Sequence, residues 1–341
     1  MISQKCEVVE YDSRPDYTPE VRLAEKIENL NYKLSLCGQW ARVDHYCKKC
    51  ELEGLDTSLL KVGEYKRFRC EIHLCGKPEC LVQRFASQSK VFDELDFKGL
   101  RNLWHFVVGF ELISKDEFQN NMTSIRKRHQ AVLNNYFSKL KKKGLNVRGV
   151  RVMDFCFKED GRIYIHYHFG CVPVGQRKIG QYLKIMNDVS VKMISQMKIK
   201  TSFVFENFGM KNKAGVLSYL AKRSAGLYSW KESSKVDYIP SKKGKLLKDI
   251  KNGKYMTLKD VLSPEQYINH FYNRSHFVTI GGLPRPLRRS CIPMDDVPHF
   301  CKIHGELEPK DIRSEMFFKF ASIPPPPCEQ TDDLVIEYQK F

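Results

Sequence analysis

From Leu103 to Ala225 the chain alternates strand-length apolar runs with long stripes at helical spacing, and few folds accept the resulting order. Leu103 to Glu111 (LWHFVVGFE) has the length and composition of a strand. Between Ser114 and Lys143, the positions Phe118, Met122, Ile125, His129, Val132, Leu133, Tyr136, Phe137 and Leu140 recur three and four apart, which predicts one buried face of a long helix. Lysines crowd the last turn and Gly144 stands past it, as helix C-termini prefer. Val147–Phe157 and Arg162–Val174 are β-rich runs flanking Glu159-Asp160-Gly161, a hairpin signature. Ile179, Leu183, Met186, Val189 and Met193 mark a second helix, Ser202–Phe208 a further strand, and Asn212–Ala225 a third helix closed by Gly226.

The order β-α-β-β-α-β-α predicts an α+β protein in which two helices cover one face of a four-stranded antiparallel sheet, the ferredoxin-like arrangement. Fold pattern alone gives no function, so the chemistry has to come from particular side chains. IHYHFG, residues 165–170, sets His166 and His168 one residue apart on a strand, and alternation sends both to the same face. A three-residue loop, Glu159 to Gly161, pairs Cys156 with Tyr164, Asp154 with His166 and Val152 with His168. Asp154 then faces His166 at about 5 Å between Cβ atoms. Two imidazoles and a carboxylate on one face suit a divalent cation, with positions left open for substrate oxygens. A two-residue loop would instead turn Asp154 to the opposite face. The plain alternative is a pair of half-buried strand histidines with no ligand.

The third helix reads GVLSYLAKRSAGLY, in which Tyr219, Lys222 and Arg223 fall within about a turn of each other. A phenol can attack phosphorus where its developing charge is stabilised and the phosphate polarised. Tyr219 is a candidate nucleophile and Lys222 a candidate stabilising cation. Val216 and Leu220, on the same stripe, give the alternative of a core aromatic.

With this element order, HxH on a central strand and YxxK on the following helix, residues 100–227 resemble the HUH-type rolling-circle replication initiators of plasmids and viruses, whose site is shared by related transposases and relaxases. HYHFG corresponds to the second motif of that family, with Tyr167 in place of the usual hydrophobic residue, and SYLAK to the third. The first motif, a strand ending in Thr, has no counterpart in LWHFVVGFE. The resemblance implies a DNA endonuclease and strand transferase. Its tyrosine, Tyr219 with Tyr228 as rival, attacks a phosphodiester of single-stranded or extruded origin DNA. The enzyme becomes linked to the 5′ phosphate and frees a 3′-OH that primes synthesis. Mg²⁺ or Mn²⁺ would sit at Asp154, His166 and His168. No Walker-type GxxxxGK[ST] occurs, so a host helicase would have to unwind and a host polymerase extend. The alternatives are a transposase with the same chemistry, or a non-catalytic zinc-containing nucleic-acid-binding protein.

CKKC (Cys47, Cys50) is followed by RCEIHLCGKPEC, which holds Cys70, Cys75 and Cys80 with His73 inside. Paired knuckles of this kind supply the four ligands of a structural zinc ion. Cys47, Cys50, Cys75 and Cys80 are the favoured set, with Cys70 or His73 as alternates. Cys291, Cys301 and His304 form a looser group, with His299 or Cys328 as a possible fourth ligand.

The chain has 341 residues, 57 Lys+Arg against 40 Asp+Glu, and a formal net charge of +17, which favours a polyanionic partner such as nucleic acid. RKRH (126–129), KKK (141–143) and SKKGKLLKDIKNGK (241–254) are the densest basic runs, and residues 229–262 read as exposed loops or a basic arm. Three regions are expected: 1–99 with the Cys-rich segment 47–80, the core 100–228, and 229–341 as linker, accessory region and acidic tail. No run of about 18 apolar residues and no secretory leader is present, so no membrane is expected and the cytoplasm is the expected compartment, where thiols stay reduced.

Overall fold

The computed structural model describes residues 18–55, 59–61, 65–95, 97, 99–175, 178–196, 204–229, 238, 240, 242–272, 277–283, 300–308, 311–318 and 337–339. The protein is α+β. In chain order it forms α1 (Pro19–Leu36), β1 (Trp40–Cys47), α2 (Lys48–Leu52), β2 (Leu59–Lys61), β3 (Tyr65–Arg67) and α3 (Pro78–Asp93). Next come β4 (Asn102–Ile113), α4 (Lys115–Lys142), β5 (Asn146–Phe157), β6 (Ile163–Val174), α5 (Ile179–Gln196), β7 (Val204–Asn212) and α6 (Lys213–Ser224). The remainder is β8 (Tyr228–Ser229), α7 (Lys243–Lys251), β9 (Tyr255–Met256), α8 (Pro264–His270), β10 (Phe277–Ile280), β11 (Phe300–Cys301), β12 (Gly305–Glu306), β13 (Ile312–Phe318) and β14 (Glu337–Gln339). Among the described residues no helix is long and apolar enough to cross a membrane.

The chain divides into two compact units, one of Met1–Lys33 with Glu71–Pro286 and one of Leu34–Cys70 with Leu287–Phe341. This differs from the three consecutive regions expected. The reason is strand pairing: β10 adds to β5, which carries residues beyond 229 into the first unit, and β1 pairs with β13, which joins the cysteine segment to the C-terminal part.

In the first unit the sheet order is β7-β4-β6-β5-β8-β9, with β10 also on β5. All these pairs are antiparallel except β5 with β8. Strand alternation sends Phe106, Phe110, Phe155 and Phe169 to one face, where they meet Phe118, His129 and Phe137 of α4. α5 packs on α4, and the Tyr136 and Ser190 hydroxyls hydrogen-bond at 3.1 Å between them. On the opposite face Leu103, Val150 and Val152 form one core with Val216, Leu217 and Leu220 of α6 and Leu81 and Phe85 of α3.

α4 starts where sequence chemistry starts it. The Ser114 hydroxyl accepts from the Glu117 N–H, and the Glu117 carboxylate accepts from the Ser114 N–H, both at 3.1 Å. Residues 243–251 are not a loop but α7, because Leu246 and Ile250 stand four apart and bury one side of the helix while its lysines face solvent. Most of the remaining Lys- and Ser-rich stretch, and Cys291, His299 and Cys328, lie outside the described residues.

The second unit is a five-stranded sheet of order β14-β13-β1-β2, with β3 also on β1, and a separate β11–β12 hairpin. β1 and β13 pair antiparallel over seven positions, from Ala41 with Phe318 to Cys47 with Ile312.

Candidate metal and nucleophile site

The hairpin sets the site's register. Gly161 adopts φ +80°, a conformation only glycine takes cheaply. The Asp160 carboxylate accepts from the Arg162 N–H at 3.0 Å, which closes the loop. Cys156 then pairs with Tyr164, Asp154 with His166 and Val152 with His168, the three-residue-loop register. Asp154, His166 and His168 therefore share the face that α6 covers.

α6 is brought unusually close to that face by Gly170, the residue that ends IHYHFG. A Cβ there would lie 2.9 Å from Leu220 Cδ1 and 3.1 Å from Val216 Cγ1, so a side chain would crowd these two α6 residues. The close approach brings the Tyr219 hydroxyl to 3.2 Å from His168 Nε2. One turn later the Arg223 Nη2 donates to the Tyr219 oxygen at 3.2 Å, and its Nη1 donates to the Leu227 carbonyl at 2.7 Å.

The carboxylate sits at the centre. Asp154 Oδ2 lies 3.2 Å from both His166 Nε2 and His168 Nε2, and 3.1 Å from Arg223 Nε. Its other oxygen accepts from the Phe155 N–H at 2.8 Å. Asp154, His166, His168, Tyr219 and Arg223 are all at least nine-tenths buried. The ligand atoms of Asp154, His166 and His168 lie within 4.8 Å of one another, a spacing that can hold a metal ion.

Burial keeps the His168 imidazole uncharged at neutral pH. Burial pulls His168 down to about 4 against the opposing pull of Asp154. Burial opposes ionisation of Asp154, but Arg223, His166 and His168 outweigh it and hold the carboxyl far below the usual carboxylate range. Burial pushes the Tyr219 phenol up to about 12, with Arg223 opposing. At neutral pH the site holds the Asp154 anion, the Arg223 cation and a neutral His168 ring.

Two participants were not picked out as site residues in the sequence. His105, on β4, meets His168 Nδ1 with its Nε2 at 3.2 Å and the Tyr238 hydroxyl with its Nδ1 at 2.7 Å. Its ring lies outside the set that can hold an ion, and it orients the ring that would, as outer partners of ligating histidines do. The available signal was a lone imidazole inside the apolar run LWHFVVGFE. Arg223 is the second: the cation against the Tyr219 hydroxyl is Arg223, in place of the expected Lys222, which is buried on the same helix. Tyr228 is fully buried against Phe155 and Phe157, and its hydroxyl has no hydrogen-bond partner among the described residues.

The expected zinc set is regrouped. Cys47 and Cys50 lie in the second unit, where Cys301 and His304 join them to make four candidate ligands. Cys75, ahead of α3, and Cys80, in its first turn, lie in the first unit and do not complete that set. His73 bonds the Ser224 carbonyl at the end of α6 through Nε2 at 2.8 Å. Of the basic runs, RKRH is largely structural: Arg126 donates to the His270 carbonyl, Arg128 pairs with Glu111 and His129 is buried, whereas Lys141, Lys142 and Lys143 are exposed. No known protein family, curated protein or solved structure matches the chain.

Proposed function

We propose that the chain is a metal-dependent single-stranded DNA endonuclease and strand transferase that initiates rolling-circle replication. The observation that carries this reading is the Tyr219 hydroxyl 3.2 Å from His168 Nε2, on the sheet face that also holds His166 and Asp154. The order β7-β4-β6-β5, with α4 and α5 on the far face, supports a ferredoxin-like HUH core.

Two imidazoles and one carboxylate converging within 4.8 Å fit a divalent cation that accepts nitrogen and oxygen donors, Mn²⁺ or Mg²⁺. Bound there, the cation would polarise a phosphodiester oxygen of the DNA. Arg223 stabilises charge developing on the phenol oxygen and orients it by the Nη2 hydrogen bond. Tyr219 Oη attacks phosphorus, the new Oη–P bond replaces the P–O3′ bond, and the phenol's proton ends on the departing 3′ oxygen. The products are a 5′-phosphotyrosine and a free 3′-OH, and attack by a 3′-OH on the phosphotyrosine reverses the step. A host helicase and polymerase are the partners this chemistry requires, and a structural zinc held largely by cysteines belongs to the same reading. Neighbouring genes would separate a replication initiator from a transposase of the same chemistry.

A second reading is a non-catalytic nucleic-acid-binding protein with a buried polar network. It is favoured by Arg223 at 3.1 Å from Asp154, which already balances the carboxylate. A labelled single-stranded oligonucleotide with Mn²⁺ decides between them. The nuclease forms a denaturation-resistant covalent adduct with the wild type and with Tyr228→Phe, and none with Tyr219→Phe or after chelation. An adduct that survives in Tyr219→Phe overturns the assignment of the nucleophile, and no adduct from any substrate leaves the binding protein.

A further inference from the structure

The second unit brings together two short motifs that are 251 residues apart in the chain, CKKC at 47–50 and CKIH at 301–304. Cys47 closes β1 and Cys50 lies in α2, while Cys301 sits in β11 and His304 in the turn before β12. Gly305, at φ +69°, lets that turn close tightly enough to present His304 beside Cys301.

The separations suit a tetrahedral ion. Zn–S bonds of about 2.3 Å and Zn–N bonds of about 2.0–2.1 Å demand sulfur–sulfur distances of about 3.8 Å and sulfur–nitrogen distances of about 3.5 Å. Here Cys50 Sγ lies 3.5 Å from Cys301 Sγ, and His304 Nδ1 lies 3.4 Å from Cys50 Sγ, 3.7 Å from Cys47 Sγ and 3.7 Å from Cys301 Sγ. Sulfurs at 3.5 Å are far beyond disulfide bonding, and the cysteines are free.

The surroundings are those of a ligand set. Backbone N–H groups of Ile303 and His304 hydrogen-bond to the Cys301 sulfur, the pattern that supports a thiolate. His304 meets a Glu53 oxygen with its other ring nitrogen, Nε2, at 3.0 Å, which turns Nδ1 toward the sulfurs. Leu55, Leu307 and Ile312 pack over the thiols, and Cys47, Cys50 and Cys301 are at most 2% exposed.

The geometry points to a structural zinc site formed by Cys47, Cys50, Cys301 and His304, with Glu53 orienting the histidine. Four protein ligands leave no open position, so the ion holds structure and does no chemistry. It fastens the second unit's first segment, at the end of β1, to its second segment ahead of β13. The site stands independently of the strand-transfer reading.

Zinc per chain, measured by elemental analysis of the purified full-length protein, tests it, together with substitution by Co²⁺. Cys301→Ser is expected to lose one zinc relative to the wild type, and taking the difference cancels any metal held elsewhere. Should Cys301→Ser fail to fold, His304→Cys keeps the zinc and strengthens the thiolate-to-cobalt charge-transfer band, as one more sulfur reaches the ion. Equal zinc in the wild type and Cys301→Ser overturns the site. So does a cobalt spectrum unchanged by His304→Cys, or a wild type that binds no zinc.

Discussion

Arg223 touches two groups with different needs, the phenol of Tyr219 and the carboxylate of Asp154. Removing it leaves the buried Asp154 carboxylate without its guanidinium partner. Breaking a buried ion pair in this way costs about 3–5 kcal/mol. Arg223→Ala is therefore expected to lower the urea midpoint markedly. Bound at the proposed site, Mn²⁺ would take over part of the guanidinium's role, so it is expected to stabilise Arg223→Ala more than the wild type. Equal Mn²⁺ stabilisation of both proteins would remove Asp154 from the proposed ligand set. The His166–Asp154 pairing was legible in sequence, because strand alternation and loop length are arithmetic on residue positions. The choice of Arg223 over Lys222 was not: on a helix both the third and the fourth residue after Tyr219 return to its face, and side-chain packing selects between them. His105 stayed hidden because its apolar neighbours make the whole segment read as core.

At the scale of elements, α4 is tied to the sheet by polar contacts as well as by its apolar stripe. His129 meets Glu111 with Nε2 and the Tyr167 hydroxyl with Nδ1, each at 3.3 Å, while its ring stacks on Phe110. Burial lowers the pKa of His129. Burial would raise that of Glu111, but the His129 and Arg128 contacts outweigh it and bring the carboxyl to about 2. Both folded-state values lie below the unfolded ones, so the unfolded chain binds more protons as pH falls. The stabilisation is complete above the ordinary histidine value, declines as pH drops through it, and declines again from the ordinary glutamate value toward about 2. Denaturant midpoints measured from pH 7 to pH 4 should fall with acid, and Glu111→Gln should flatten the lower part of that profile. α4 itself was plain in the sequence, because its stripe, its Ser114 cap and its closing Gly144 agree. α7 was obscured because lysine density outweighed the two apolar residues that bury it. Cys47 and Cys50 were matched to nearby cysteines because sequence spacing cannot see strand pairing, and β1 with β13 is what delivers Cys301 and His304.

For the whole molecule, the formal charge of +17 makes ionic strength the governing variable in any encounter with DNA. Each phosphate neutralised releases counterions, so affinity falls as a power of salt concentration. Binding to an unstructured single strand is expected to weaken by ~10-fold or more between about 50 and 200 mM salt. A fluorescence-anisotropy titration in which affinity stays flat over that range would exclude the backbone as the main contact.

The second unit is made of two stretches with the first unit's Glu71–Pro286 between them. A ribosome therefore releases β1 with Cys47 and Cys50 long before their companions exist, and the whole hairpin-and-tyrosine assembly has time to fold in the interval. A nascent chain ending near Pro286 would already hold Asp154, His166, His168 and Tyr219, while Cys47 and Cys50 still lacked Cys301 and His304. Translation past Leu287 would then decide when the molecule is complete.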